Sequence, residues 1–299
     1  MMEITNKFIT LKDNTRIAFK LYRPEKSKGV IQMIHGMAEH KERYDAVCRY
    51  FCDMGYDVLI HDHRGHGKDI GSSEQGHFPS IDTLVEDAYE IFETFDFKGE
   101  FILFGHSMGS IVARKYVINY PGLFDRLILS GTSFYNKKFE AAALLLKPLL
   151  KIHPPYKKLD FVNKLTLNDF NRKFRPLRTE SDWISLNEDN VDAFVSDPDA
   201  GFNMSIGALN SINESLKFTS SKKNVKRMNK NLKILLVAGQ DDPFSNFGKG
   251  VDKTGKLFNK CGIHHVYVQL YENARHEVLF EKNQQEVLNN IGKWLNRNE

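Results

Sequence analysis

Cysteine is scarce in this chain. Its 299 residues hold three, an odd number too small for a disulfide framework, which fits a reducing compartment. Long apolar runs are missing too. The richest, Ala141 to Leu150, is broken by Lys147 and Pro148 and falls far short of the roughly 20 apolar residues of a membrane-spanning helix. The start, Met1-Met2-Glu3-Ile4-Thr5-Asn6-Lys7, lacks the basic cluster and apolar stretch of a secretory signal, and the end carries no lipidation or retention motif. Excess charge is small as well: a net +4 gives no reason to expect a nucleic-acid partner. No internal repeat or low-complexity tract is visible. These absences lead to the expectation of a cytoplasmic protein. What is present is ordinary globular usage, 41% hydrophobic and 27% charged, which excludes wholesale disorder. The length admits either two domains or one α/β domain with an addition.

The chain alternates between β-prone and helical segments. Phe8–Leu11 and Ile17–Tyr22, separated by Asp13-Asn14, read as a hairpin. Strands are expected at 29–34, 56–60, 100–104 and 126–130, with helices at 43–54, 81–95 and 107–120 between them. The rhythm resumes with a strand at 232–238, a helix at 251–259, a strand at 265–270 and a helix at 284–295. Near-continuous apolar strands alternating with helices predict an α/β fold, a mostly parallel sheet with helices on both faces. Residues 134–229 interrupt it. Phe139–Ile152 reads as a helix stopped by Pro154-Pro155, and the rest as polar and irregular with scattered aromatics. Because a strand precedes and follows this stretch, it is expected to be an inserted helical cap, or lid, on a core made of residues 1–133 and 230–299.

The strongest motif is Gly105-His106-Ser107-Met108-Gly109, a G-x-S-x-G directly after a buried-type strand and directly before a helix. The chemistry explains the spacing. Ser107 must occupy a sharp, strained strand-to-helix turn to lift its hydroxyl above the sheet, and side chains at 105 and 109 would collide with that turn. A serine hydroxyl needs a base, and the base an orienting acid. The loop after the 232–238 strand offers Asp241 and Asp242. Asp242 is preferred because Pro243 fixes the turn behind it. The loop after the 265–270 strand offers His276, alone among the eleven histidines in the late post-strand position where a base belongs. His35-Gly36-Met37-Ala38 follows an early strand. Gly36 lets the backbone turn so that the Met37 N–H can join that of Met108 as an oxyanion donor.

These segments resemble a known group. His35-Gly36-Met37-Ala38-Glu39-His40, Asp62-His63-Arg64-Gly65-His66-Gly67, the Gly105–Gly109 pentapeptide, Gly239-Gln240-Asp241-Asp242-Pro243 and Ala274-Arg275-His276-Glu277 are similar to the monoacylglycerol lipase and lysophospholipase group of α/β-hydrolases, over about residues 29–131 and 230–295. Trp183 and Asp197–Phe202 within the insertion also look similar to that group. The resemblance implies the α/β-hydrolase fold, Ser107 as nucleophile, Asp242 as acid, His276 as base, and Met37 and Met108 as oxyanion donors. It makes His35, Gly36, Gly105 and Gly109 supports of the loop and the elbow. It also implies a small-molecule, lipid-like ester substrate, with no cofactor and no metal. The group includes aminopeptidases, so an aminopeptidase or small-ester esterase is the alternative, and a non-catalytic binding protein of the same fold a further one.

Other features weigh less. His61, His63 and His66 invite a metal reading but fit a structural loop beside the elbow. Cys48 and Cys52, one helical turn apart, are expected as core or surface residues. Gly250–Lys256 nearly makes a phosphate-binding loop and fails at Leu257. The basic run from Lys222 to Lys233 is read as a solvated linker. The leucine-rich 139–152 segment is expected to line the substrate channel and, through an exposed face, to touch membrane surfaces transiently. Nothing in the sequence gives the oligomeric state.

Overall fold

The structure is a computed structural model that describes residues 1–71 and 74–297. Ser72 and Ser73, between the expected strand at 56–60 and the expected helix at 81–95, and Asn298 and Glu299 at the end of the expected core range, lie outside the described residues.

An eight-stranded sheet organises the chain. Its strands are β1 (Glu3–Thr10), β2 (Arg16–Arg23), β3 (Gly29–Ile34), β4 (Asp57–His61), β5 (Glu100–His106), β6 (Arg126–Ser130), β7 (Lys233–Gly239) and β8 (Val266–Tyr271). Their order is β1-β2-β4-β3-β5-β6-β7-β8. Pairing is antiparallel for β1 with β2 and for β2 with β4, and parallel from β4 onward. The interior strands are mostly apolar because they serve two cores. Val30, Leu103, Leu127, Leu129 and Leu236 point to one face, and Ile31, Ile102, Phe104, Ile128 and Leu235 to the other.

Helices cover both faces. α1 (Asp45–Asp53) follows a short 3-10 turn at Lys41–Tyr44, and α2 (Ile81–Glu93) and α3 (Met108–Asn119) follow β4 and β5. Cys48 and Cys52 of α1 are buried in the second core. The expected hairpin is present, with β1 reaching back to Glu3, and the 29–34 and 126–130 strands have the expected bounds.

Between β6 and β7 the structure departs from the expectation of an irregular stretch. After α4 (Lys137–Ile152) come α5 (Asp160–Asn171), α6 (Glu188–Ser196), α7 (Ile206–Thr219) and α8 (Lys222–Val225). The α7 residues Ile206, Leu209, Ile212 and Leu216 recur at helical spacing, and the Ser205 hydroxyl caps the helix by accepting the Ala208 N–H (3.2 Å). In α5 the pattern is diluted: Phe161 and Leu165 are exposed while Val162 is buried. The basic run is more than a linker. It contains α8, and Val225 and Met228 pack into the main core while the lysines stay outside. α7 packs on α2, α3 and α4, which seats the insertion over the elbow helix.

After β7, α9 (Lys249–Lys260) absorbs the near-match to a phosphate-binding loop, and α10 (Gln284–Leu295) closes the second face. No helix among the described residues is long and apolar enough to cross a membrane.

Candidate active site

Ser107 sits in the turn between β5 and α3 with φ 52° and ψ −119°, the left-handed region that L-residues rarely adopt. Close packing explains why glycine flanks it. A Cβ at Gly105 would lie 2.4 Å from the Gly109 carbonyl oxygen, and one at Gly109 would lie 2.2 Å from that of Ile34. The strained turn is held by the Ser107 N–H, which donates to the Ser130 carbonyl (2.9 Å), and by Ser110, whose N–H and hydroxyl both donate to the Ser107 carbonyl.

Three residues from three loops meet there. His276, after β8, places Nε2 2.7 Å from Ser107 Oγ and Nδ1 3.0 Å from Asp242 Oδ1. A carboxylate can only accept, so Nδ1 carries the proton and Nε2 presents its lone pair to the serine hydroxyl. Asp242 is fully buried, and Oδ1 also accepts the Phe244 N–H (2.9 Å). The neighbouring Asp241 side chain is exposed, while its N–H donates to the Ala274 carbonyl (3.0 Å). Of the two rivals, only Asp242 reaches the histidine. Burial alone would push the His276 imidazole down, but the Asp242 charge and hydrogen bond reverse this, and its pKa lies above the ordinary 6.5.

The loop after β3 approaches Ser107 from the other side. Gly36 leaves no room for a side chain, since a Cβ there would lie 2.4 Å from Glu39 Oε1 and 3.1 Å from Ser107 Cβ. The Gly36 N–H donates to Glu39 Oε1 (2.6 Å), and the Ala38 N–H to His66 Nε2 (3.1 Å). His35 lies 2.8 Å through Nδ1 from the Gly36 carbonyl, and its Nε2 accepts the His63 N–H (3.1 Å). The Met37 N–H, between two amides tied back into the protein, meets no acceptor among the described residues. Met37 and Met108 line the same cavity as Ser107. The imidazoles of His61, His63 and His66 are buried beside this loop in a tilted, edge-on cluster: His63 meets His61, His66 and His35, and His66 also meets His35, with centroids 4.3–5.9 Å apart.

That cavity is about 470 Å³. Its walls are mostly apolar and come from the insertion: Phe139 and Leu145 of α4, Val162 of α5, Ile212 of α7, and the Trp183 turn. α4 thus lines the channel with one face, while Leu144 and Ile152 on the other are 72% and 73% exposed.

A buried ionic network goes unread in the sequence. Arg43 makes a two-pronged contact with Glu277 (2.8 Å each) and a third to Glu39 Oε2 (2.5 Å), and Tyr44 donates its hydroxyl to Glu39 (2.8 Å). Asn190 of α6 joins it by donating to Glu277 Oε2 (2.7 Å). The network therefore links the 35–40 loop, the His276 loop and the insertion. Despite burial, Arg43 holds the Glu277 carboxyl down at about 2, while burial dominates at Glu39 and raises it. The only local signal is the four-residue spacing of Glu39 and Arg43; Glu277 is 234 residues further on.

The sheet order, the strained serine after β5 and the Ser107–His276–Asp242 hydrogen-bonded chain define an α/β-hydrolase. The chain belongs to the serine aminopeptidase S33 family of hydrolases, whose model matches residues 25–283. It is similar to the monoacylglycerol lipase of Mycolicibacterium smegmatis, 25% identical over 94% of this chain and 92% of that one. It is also similar to the probable lysophospholipase L2 of Haemophilus influenzae, 25% identical over 98% and 93%. Among solved structures, the thermostable carboxyl esterase from Bacillus coagulans in complex with glycerol superposes with a TM-score of 0.89, at 26% identity, over 99% of both chains.

Proposed function

We propose that this chain is a serine hydrolase that cleaves the carboxylic ester of a lipid-like monoester, a monoacylglycerol or a lysophospholipid, through an acyl-enzyme. In this reading Ser107 is the nucleophile. His276 takes its proton during attack on the ester carbonyl and gives it to the leaving alcohol. Asp242 holds the imidazole in the required tautomer and stabilises the imidazolium. The Met37 and Met108 N–H groups receive the developing oxyanion, with the α3 N-terminus adding its positive dipole. Water, activated by His276, then releases the acid. Every reacting group is supplied by the chain or by water, so the reaction calls on no cofactor or metal.

Residues 134–229 act as the cap over a core of 1–133 and 230–299. Its exposed Leu144 and Ile152 are the surface through which it would touch a membrane. The observation that carries the reading is the opening of the Ser107–His276–Asp242 chain onto a largely apolar cavity of about 470 Å³, a volume suited to an acyl chain. The monoacylglycerol lipase and lysophospholipase names of the relatives support the same substrate class.

The test is a turnover panel of monoacylglycerols of several chain lengths, a lysophospholipid, short nitrophenyl esters and an N-terminal-proline amide. Hydrolysis of the long-chain monoesters with the best kcat/KM is expected. Hydrolysis of the amide alone would replace the lipase reading with the aminopeptidase one.

A further inference from the structure

The base loop and the cap are joined by paired contacts. Arg275 and Glu277 flank His276, and Asp182 and Ile184 flank Trp183. The Arg275 guanidinium donates to the Asp182 carbonyl, and the Glu277 N–H to that of Ile184 (2.8 Å). The residues on either side of His276 therefore grip those on either side of Trp183. Further bonds lock the arrangement. The Trp183 N–H donates to Asn171 Oδ1 (3.1 Å), and Glu281 accepts both the Ser185 hydroxyl (2.7 Å) and the Arg275 N–H (2.8 Å).

This clamp lays the indole of Trp183 over the imidazole of His276, with centroids 4.9 Å apart and planes at 34°. Phe170 backs the indole at 4.6 Å, and Phe244 closes the imidazole edge at 5.5 Å and 77°. An aromatic face attracts a cation, most strongly for tryptophan and most where water is excluded.

We propose that Trp183 is a positioning residue for the base: the cap delivers its indole onto the His276 ring, holding the imidazole in line with Ser107 and stabilising the imidazolium formed in acyl transfer. This rests on His276 acting as the base of the reaction proposed above. The consequence is that the cap is fixed at this point rather than hinged there, and that it contributes to the chemistry as well as to substrate choice.

Several charged or titratable groups face His276. Asp242 bonds Nδ1. His106, at the end of β5, lies at 5.0 Å with its ring tilted by 46° and is held neutral, its pKa pushed by burial down to about 3. Glu277 and Glu39 both contact Arg43, and Arg275 lies over Phe174. Trp183, like Phe244, is a neutral aromatic against the imidazole, so its removal changes no charge.

The test compares Trp183→Leu and Trp183→Phe with the wild-type chain in the pH profile of kcat/KM for nitrophenyl acetate, whose acyl group is too short to read the channel walls. With leucine, loss of the aromatic face destabilises the imidazolium. The acidic limb is expected to move to lower pH by about half to one unit, with kcat falling more than KM rises. Phenylalanine is expected to restore part of the shift, and it keeps the test readable if the leucine variant folds poorly. An acidic limb that stays in place in both variants, or leucine and phenylalanine variants that behave alike, would overturn the proposal. A wild-type chain with no acidic limb overturns it at the level of His276. A Ser107→Ala control separates that from failure of the hydrolase reading, because a hydrolase acting through Ser107 loses turnover whatever Trp183 does.

Discussion

Ser107 Oγ and His276 Nε2 lie 2.7 Å apart although 169 residues, including the whole insertion, separate them in the chain. The contact depends on two parallel neighbours in the sheet. β7 pairs with β8, and the loops beyond their carboxyl ends run together where Gly239 approaches the Ala274 carbonyl so closely that a Cβ there would lie 2.0 Å away. That contact fixes Asp242 and His276 relative to each other, and the elbow brings Ser107 up to meet them.

Asp242 and Asp241 give a direct comparison, because one carboxylate is buried on the imidazole and the other faces water. Asp242→Asn leaves the shape of the site intact but favours the wrong imidazole tautomer, and is expected to lower kcat by about 10⁴-fold. Asp241→Asn is expected to leave kcat nearly unchanged. Steady-state kinetics on the preferred ester checks the pair, and the opposite ranking would move the acid to 241.

The raised pKa of His276 acts in opposite directions on activity and on stability. Activity needs the neutral imidazole, so kcat/KM is expected to rise with pH along a limb centred above 6.5. The folded state holds the proton more tightly than the unfolded chain. The resulting stabilisation is fully present below pH 6.5 and is lost as pH rises through the folded pKa. His276→Gln is therefore expected to cost more stability at mildly acidic pH than at alkaline pH, as urea unfolding at the two pH values would measure.

Arg43 is nine-tenths buried between two buried carboxylates. Arg43→Met leaves Glu39 and Glu277 unpaired and is expected to destabilise the chain by about 3–5 kcal/mol. Because Glu39 also accepts the Gly36 N–H, kcat should fall together with stability. Arg43→Lys should rescue little, since an ammonium cannot reproduce the two-pronged contact with Glu277. Urea unfolding and kinetics on the same samples provide the check, and a loss of stability below about 1 kcal/mol, as for an exposed pair, would show that the network is dispensable.

Much of this architecture can be read in the sequence because its signals are local. The strands at 29–34 and 126–130 are short, mostly apolar runs, the first interrupted by Gln32 and the second bounded by Arg126 and Ser130, and the elbow compresses a strand end, a strained serine and two close-packed glycines into five residues. In the sequence Asp242 is set apart from Asp241 by Pro243 and by the likeness to the group; in the structure the difference comes from the burial of Asp242 and its contact with His276, 34 residues further along the chain. The helices α5 and α6 are hard to read because the chain divides their apolar residues between the cavity, the interior of the segment between β6 and β7, and solvent, so neither shows one clean stripe. The Arg43 network escaped because its members lie on separate loops and on the insertion, and only folding brings their charges together. Trp183 could be singled out by its likeness to the group, but its place over His276 depends on a register between two distant turns.

If Ser107 is the nucleophile, ester cleavage passes through its hydroxyl. The most direct test labels the protein with an alkyl fluorophosphonate, maps the modified peptide by mass spectrometry, and follows monoester turnover as labelling proceeds, with Ser107→Ala alongside. A single modified residue, Ser107, is expected, with turnover lost in proportion to labelling and a kcat for Ser107→Ala lower by about 10⁶-fold. Turnover that persists at full labelling of Ser107, or wild-type rates in Ser107→Ala, would contradict Ser107 as the nucleophile.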